Sequence, residues 1–145
     1  MILKKKKDMK LEKIVTAYRA LGEAKVTKLD EGEVIKIVKA RKAMRPYAEE
    51  YEAFLKDAQE KLKGEGFDEL QAKVQKWAEL TDEEKLAVNK ELGEYQRKID
   101  KTVQEELERE VDIEVDKLAE GSLPKLLQEN GWELKKLDEL EAVTA

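Results

Sequence analysis

The stretch EGEVIKIVKARKAMRPYAEEYEAFLKDAQEKLK, residues 31–63, decides the fold. Its apolar residues recur every seven positions, at Ile37, Met44, Tyr51 and Ala58. A second row follows three or four residues on, with Ala40, Tyr47, Ala48, Phe54, Leu55 and Leu62. Two rows at this spacing make a broad buried face, the pattern of a bundle helix rather than a strict coiled-coil seam. Glu31 and Glu33 suit the positive end of the helix dipole, and Gly64-Glu65-Gly66 stops the helix. At ~1.5 Å per residue it spans about 48 Å. Pro46 lies in its middle. Proline removes a backbone donor and crowds the preceding turn, so a kink or helix boundary is expected there.

The remaining sequence supports helices on either side. Leu11, Ile14, Val15, Tyr18 and Leu21 form one stripe, and Gly22 just past it marks a helix end. Residues 24–30 then connect the first two helices. Leu70, Val74 and Trp77 give a face to a helix over 67–79. Thr81-Asp82-Glu83-Glu84 is a capping box, opening a helix with Val88, Leu92, Tyr95, Ile99 and Val103 on one stripe. The aromatics Tyr18, Tyr47, Tyr51, Phe54, Trp77 and Tyr95 all fall on helix stripes and read as core.

From residue 107 the period changes. Val111, Ile113 and Val115 alternate with Asp112 and Glu114, the strand pattern. A strand over 111–115 needs a partner, either the connector 25–29 or a strand of another copy. Ser122 is placed to cap a following helix, Pro124 sits early in it, and Gly131 ends it. Leu134, Leu137, Leu140 and Val143 are then spaced by three. The expected fold is mainly α, an antiparallel helical bundle or long helical hairpin with a small C-terminal αβ element. Residues 1–8 read as a flexible basic tail, 9–106 as the helical body and 107–145 as a strand–helix element packed on it, all in one domain.

Composition agrees and excludes most chemistry. Glu, Lys, Arg, Leu and Ala make up 86 of 145 residues, the composition of long helices. Seven Gly and two Pro are too few for a many-turned β fold. With neither Cys nor His, thiol catalysis, disulfides, the usual zinc sites and histidine acid–base chemistry are out. Ser122 is the only serine and no Gly-rich phosphate loop is present, so no enzyme, cofactor or metal is expected. No apolar run approaches the ~20 residues of a membrane span. Lys4–Lys7 lack the apolar segment of a secretory signal, so the expected compartment is the cytoplasm.

The net charge of −5 is unevenly spread: residues 1–30 carry +5 and residues 66–145 carry −10. Two clusters are candidate binding sites. Glu108, Glu110, Asp112, Glu114 and Asp116 form an acidic row at alternate positions, a candidate partner-binding ladder or simply the wet side of a strand. Lys36, Lys39, Arg41, Lys42 and Arg45 form a run with no acid among them, a candidate anion-binding surface or a solvated helix face. The acidic net charge weighs against nucleic-acid binding, which depends on neutralising phosphates.

The opening MKLEKIVTAYRALGEAK, the long charged helix after it, the late VDIEV and the closing LPKLLQENGWELKKLDELEA together resemble small, mainly helical proteins of tailed bacteriophages and prophages. That resemblance implies an accessory or assembly protein in the bacterial host cytoplasm, and no catalytic residues. The expected function is a non-enzymatic protein–protein interaction or assembly module. An acidic inhibitor that imitates a nucleic acid toward a host defence protein is the alternative, and nucleic-acid binding through the cations at 36–45 is a third. The ~48 Å helix exceeds the ~15 Å radius of gyration of a compact chain of this size. With the aromatic face past Pro46, it suggests a homodimer.

Overall fold

A computed structural model describes residues 7–64 and 66–144. The chain is mainly α, with a small two-stranded sheet. In order it runs β1 (Lys7–Lys10), α1 (Leu11–Glu23), α2 (Glu31–Lys61) and α3 (Phe67–Gln75). A 3-10 turn at Trp77–Glu79 follows, then α4 (Asp82–Leu107), β2 (Glu110–Ile113) and α5 (Ser122–Asn130). A 3-10 stretch, Leu134–Val143, closes the described chain. Among the described residues no helix is long and apolar enough to cross a membrane.

The chain forms two compact units that cut across the linear partition of the sequence. The first combines residues 1–52 with 107–145, and the second is the stretch between, 53–106. The boundary falls inside α2, which belongs to both.

In the first unit, α1 buries Leu11, Ile14, Val15, Ala17, Ala20 and Leu21 and lies along the C-terminal 3-10 stretch, whose Leu140, Ala142 and Val143 are buried. The spacing of three in that tail is the period of a 3-10 helix, in which residues three apart stack on one another. The sheet is antiparallel, with Met9 opposite Val111 and Lys10 opposite Glu110. Thus β2 pairs with residues 7–10 and not with the connector at 25–29. Lys7 and Asp8, read as part of a flexible tail, belong to a strand, while residues 1–6 of that reading lie outside the described residues. Charge hid this strand: Lys7, Asp8 and Lys10 leave Met9 as its one apolar residue.

The connector is held by side chains instead. Asn130 accepts a bond from the Lys25 N–H (2.7 Å) and donates to the Lys25 carbonyl (3.0 Å), imitating a strand neighbour. Asn130 and Gly131 also close α5. Gly131 takes the left-handed conformation (φ 64°), and the Trp132 N–H reaches the Leu127 carbonyl at 2.9 Å, a Schellman closure. Gly22 does not end α1. It lies within the helix, where a Cβ would come within 3.0 Å of the Arg41 guanidinium, so its role is to let that group approach.

The second unit holds the end of α2, α3, the 3-10 turn and α4 up to Glu106. Gly66 adopts φ 80° at the start of α3, a conformation glycine takes without a Cβ penalty. Phe67 packs on Tyr95 with centroids 4.8 Å apart, and Tyr95 Oη donates to the Gln59 carbonyl at 2.8 Å. The capping box forms as its sequence predicts: the Glu84 N–H reaches Thr81 Oγ1 at 3.2 Å, and the Thr81 N–H reaches Glu84 Oε1 at 3.3 Å. The face predicted for residues 67–79 is largely uncovered. Leu70 is buried, whereas Val74 and Trp77 are exposed.

Pro46 does not bound a helix, because α2 continues through it as one element. The ring sits on the solvent side. The carbonyl four residues back, that of exposed Lys42, can therefore bond water in place of the missing N–H. Pro46→Ala restores that donor and is expected to stabilise the chain by about 1–3 kcal/mol. Chemical denaturation followed by circular dichroism checks this; an unchanged or lower midpoint contradicts it.

Candidate functional site

The two candidate clusters meet on one face of the first unit. Segment 112–117 runs antiparallel along α2. Lys36 Nζ donates to the Lys117 carbonyl at 3.2 Å. Lys39 and Ala40 share a shallow cleft with Glu114, Val115 and Asp116. Tyr47 Oη reaches the Asp112 carbonyl at 3.5 Å, the long limit of a hydrogen bond.

The acidic row is a ladder only in part. Glu110 and Asp112 lie in β2 on its exposed face, with Val111 and Ile113 buried behind them. Glu108 sits in the turn before the strand, and Glu114 and Asp116 lie beyond it. All five are exposed. On the same face Glu110 stands opposite Lys10 and Asp112 opposite Asp8, so one cation and one further acid flank the strand part of the row.

The cationic run is divided as well. Lys36 is spent within the fold. Arg41 lies over the Tyr18 ring at 4.7 Å with its Nε buried and unbonded, a contact that turns it toward α1. Lys39 faces the acids, while Lys42 and Arg45 point outward and make no ion pair among the described residues. Five cations close in sequence thus have four destinations, and no common anion pocket gathers them. Among the described residues no group of three or more acidic side chains is placed to hold a metal ion.

Two carboxylates outside the candidate clusters hold the two ends of α5; the sequence marked Glu33 only as an acid at a helix start and Glu129 not at all. Glu33 is buried. Its Oε1 accepts bonds from Ser122 Oγ and the Ala119 N–H, both at 2.6 Å, and its Oε2 pairs with Lys36 Nζ at 3.0 Å. The Ser122 hydroxyl, then the Ala119 N–H, then Lys36 hold its pKa down at about 2, against the upward push of burial. Ser122 therefore does not cap α5. Its hydroxyl is committed to Glu33, and the carboxylate binds the entry to that helix. At the other end, Glu129 accepts bonds from the Thr27 hydroxyl and from the N–H groups of Thr27 and Lys28, both at 3.0 Å. The Thr27 hydroxyl is the main cause of a lowered Glu129 pKa. Neither acid was legible, since each is one of 34 acidic residues. Only the spacing of Glu33 four residues before buried Ile37 hinted that its helix face turns inward.

The second unit presents the other notable surface. Among its described residues only Ala58, Leu70, Val88 and Ile99 are buried, against eighteen apolar side chains in the first. Val74, Trp77 and Leu86, which flank the turn at Thr81, stand 41%, 36% and 71% exposed.

Compared with known proteins, the chain matches no family model, no curated protein and no solved structure.

The Glu33 clasp has a pH signature. Its ordinary pKa is 4.5 and its folded value about 2. Its stabilising contribution is full above about pH 4.5 and is lost as pH falls through about 2, amounting to on the order of 3 kcal/mol. Glu33→Gln is expected to lower stability at pH 7 by about that much and to flatten the acid limb of the stability profile. Urea midpoints of wild type and variant between pH 2 and 7 test this; parallel profiles contradict it.

Proposed function

We propose that this chain is a non-enzymatic helical protein–protein interaction or assembly module, of the kind tailed bacteriophages and prophages carry as accessory proteins. The observation that carries the reading is the thin interior of the second unit. Four buried side chains serve a helical stretch of 54 residues, while Val74, Trp77 and Leu86 stand in solvent. Exposed large apolar residues near one turn, in a chain otherwise dense with charge, are what a binding surface requires. A tryptophan among them supplies the large apolar contact that most often dominates binding energy. The Lys85 ammonium lies 5.7 Å from the Trp77 ring centre, leaving a cation at the rim. The alternative, an acidic ladder imitating a nucleic acid, draws less support. Only two of its acids share the strand, and although Asp8 adds to them opposite Asp112, Lys10 and Lys39 stand beside the two ends of the row. Direct nucleic-acid binding through the cations at 36–45 draws less still, with Lys36 and Arg41 engaged inside the fold.

Tagged chain used as bait in a bacterial lysate, with capture read by mass spectrometry, tests the reading. Wild type should retain a defined protein, and Trp77→Ala should lose it by about tenfold or more. Glu110→Lys with Asp112→Lys should retain it, at a stability cost within about 0.5 kcal/mol per site. Loss of capture in the charge-reversed variant, with Trp77→Ala unaffected, would favour the acidic ladder instead.

A further inference from the structure

Helix α2 carries a second row of residues opposite its buried face. Ile35, Val38, Lys42 and Arg45 follow one another at spacings of three and four, so they form one stripe along the solvent side. Ile35 and Val38 are 45% and 60% exposed. The stripe is therefore apolar at its N-terminal end and cationic at its C-terminal end. The first turns of α4 carry the complement in reverse order. Asp82 and Glu83 come first, exposed and without an ion pair among the described residues. Leu86 follows three to four residues later and is the more exposed of the two large apolar residues exposed near this helix start, at 71% against 36% for Trp77.

We infer that the α2 stripe of one copy receives the start of α4 from a second copy, as an antiparallel helix pair. This deepens the assembly reading and rests on it. The orientation follows from the two orders. When Leu86 sits against Ile35 and Val38, its acids lie toward the C-terminal end of α2 only if the helices run oppositely. The spacing agrees: Val38 to Lys42 and Leu86 to Asp82 are each four residues, about 6 Å of helix rise. Asp82 then meets Lys42, with Arg45 about one turn beyond it, and the apolar side chains leave water together. The acids also stay at the positive end of the α4 dipole, which favours them there. The contact joins two different surfaces, so it closes into a dimer when made twice about a two-fold axis and otherwise extends into longer chains.

Sedimentation velocity on the full chain, from low to high micromolar concentration, tests the inference. Wild type should self-associate. Leu86→Lys and Val38→Glu should each weaken association by about tenfold, with circular dichroism melts confirming that both variants fold. Lys42→Glu should weaken it by about two- to fivefold, and adding Asp82→Lys to the same chain should restore it. A chain that stays at its monomer mass of 16.7 kDa throughout overturns the inference. So does association that ignores Leu86→Lys, or a double charge reversal that adds to the loss. Because partner capture is read through Trp77, either result leaves the interaction reading to stand or fall separately.

Discussion

The carboxylate of Glu33 ties the two halves of the first unit together. It sits on the first turn of α2, where a negative charge is favoured by the dipole of its own helix, and it reaches across to the entry of α5. Burying a charge is costly unless every lone pair is answered. Here the answer comes from a hydroxyl, a backbone N–H and an ammonium. The same ammonium reaches the Lys117 carbonyl, and Lys117 Nζ in turn donates to the Ala142 carbonyl at 2.8 Å. The chain of bonds therefore runs from α2 through segment 117–122 to the end of the 3-10 stretch that covers α1. Glu129 and Asn130 repeat the device at the far end of α5. Between them the two clasps fix both ends of a helix of nine residues, too short to be stable alone.

Much of the fold was legible because its signals are local. The heptad row at Ile37, Met44, Tyr51 and Ala58 announced α2, and all four of its members are buried. The capping box at Thr81 and the alternation around Val111 depend only on neighbours; the box forms as expected, and the strand forms one residue early and ends at Ile113, short of the expected Val115. What failed was pairing at long range. Strand β1 offers one apolar residue among charges, so no period betrays it, and its partner lies about a hundred residues away. The stripe through Val74 and Trp77 shows a different limit. Helical spacing says which residues share a face, but not whether anything covers that face.

The candidate site was legible as composition and not as geometry. Ten charged residues stood out in the sequence, and the fold distributes them. Arg41 leaves its neighbours for the Tyr18 ring because Gly22 gives it room, and no pattern in either helix alone announces that match. Lys39 shares its cleft with Glu114 and Asp116, so charges of opposite sign stand together on this face. Surface pairs of this kind contribute little each. Their effect is to lower the net field of the face rather than to strengthen the fold.

The discontinuity of the first unit has a consequence for how the chain folds as it is made. Its N-terminal part ends at residue 52 and its C-terminal part starts at 107, so synthesis delivers the whole second unit before the partners of Ile14, Glu33 and Met9 exist. The contacts that complete the first unit span about a hundred residues, which raises contact order and slows their formation. Closing over an intervening stretch of that length adds only a slowly growing entropy cost. The delay is therefore one of timing more than of stability. During it the apolar faces of α1 and α2 stand open on a nascent chain, the condition under which aggregation and chaperone binding compete with folding.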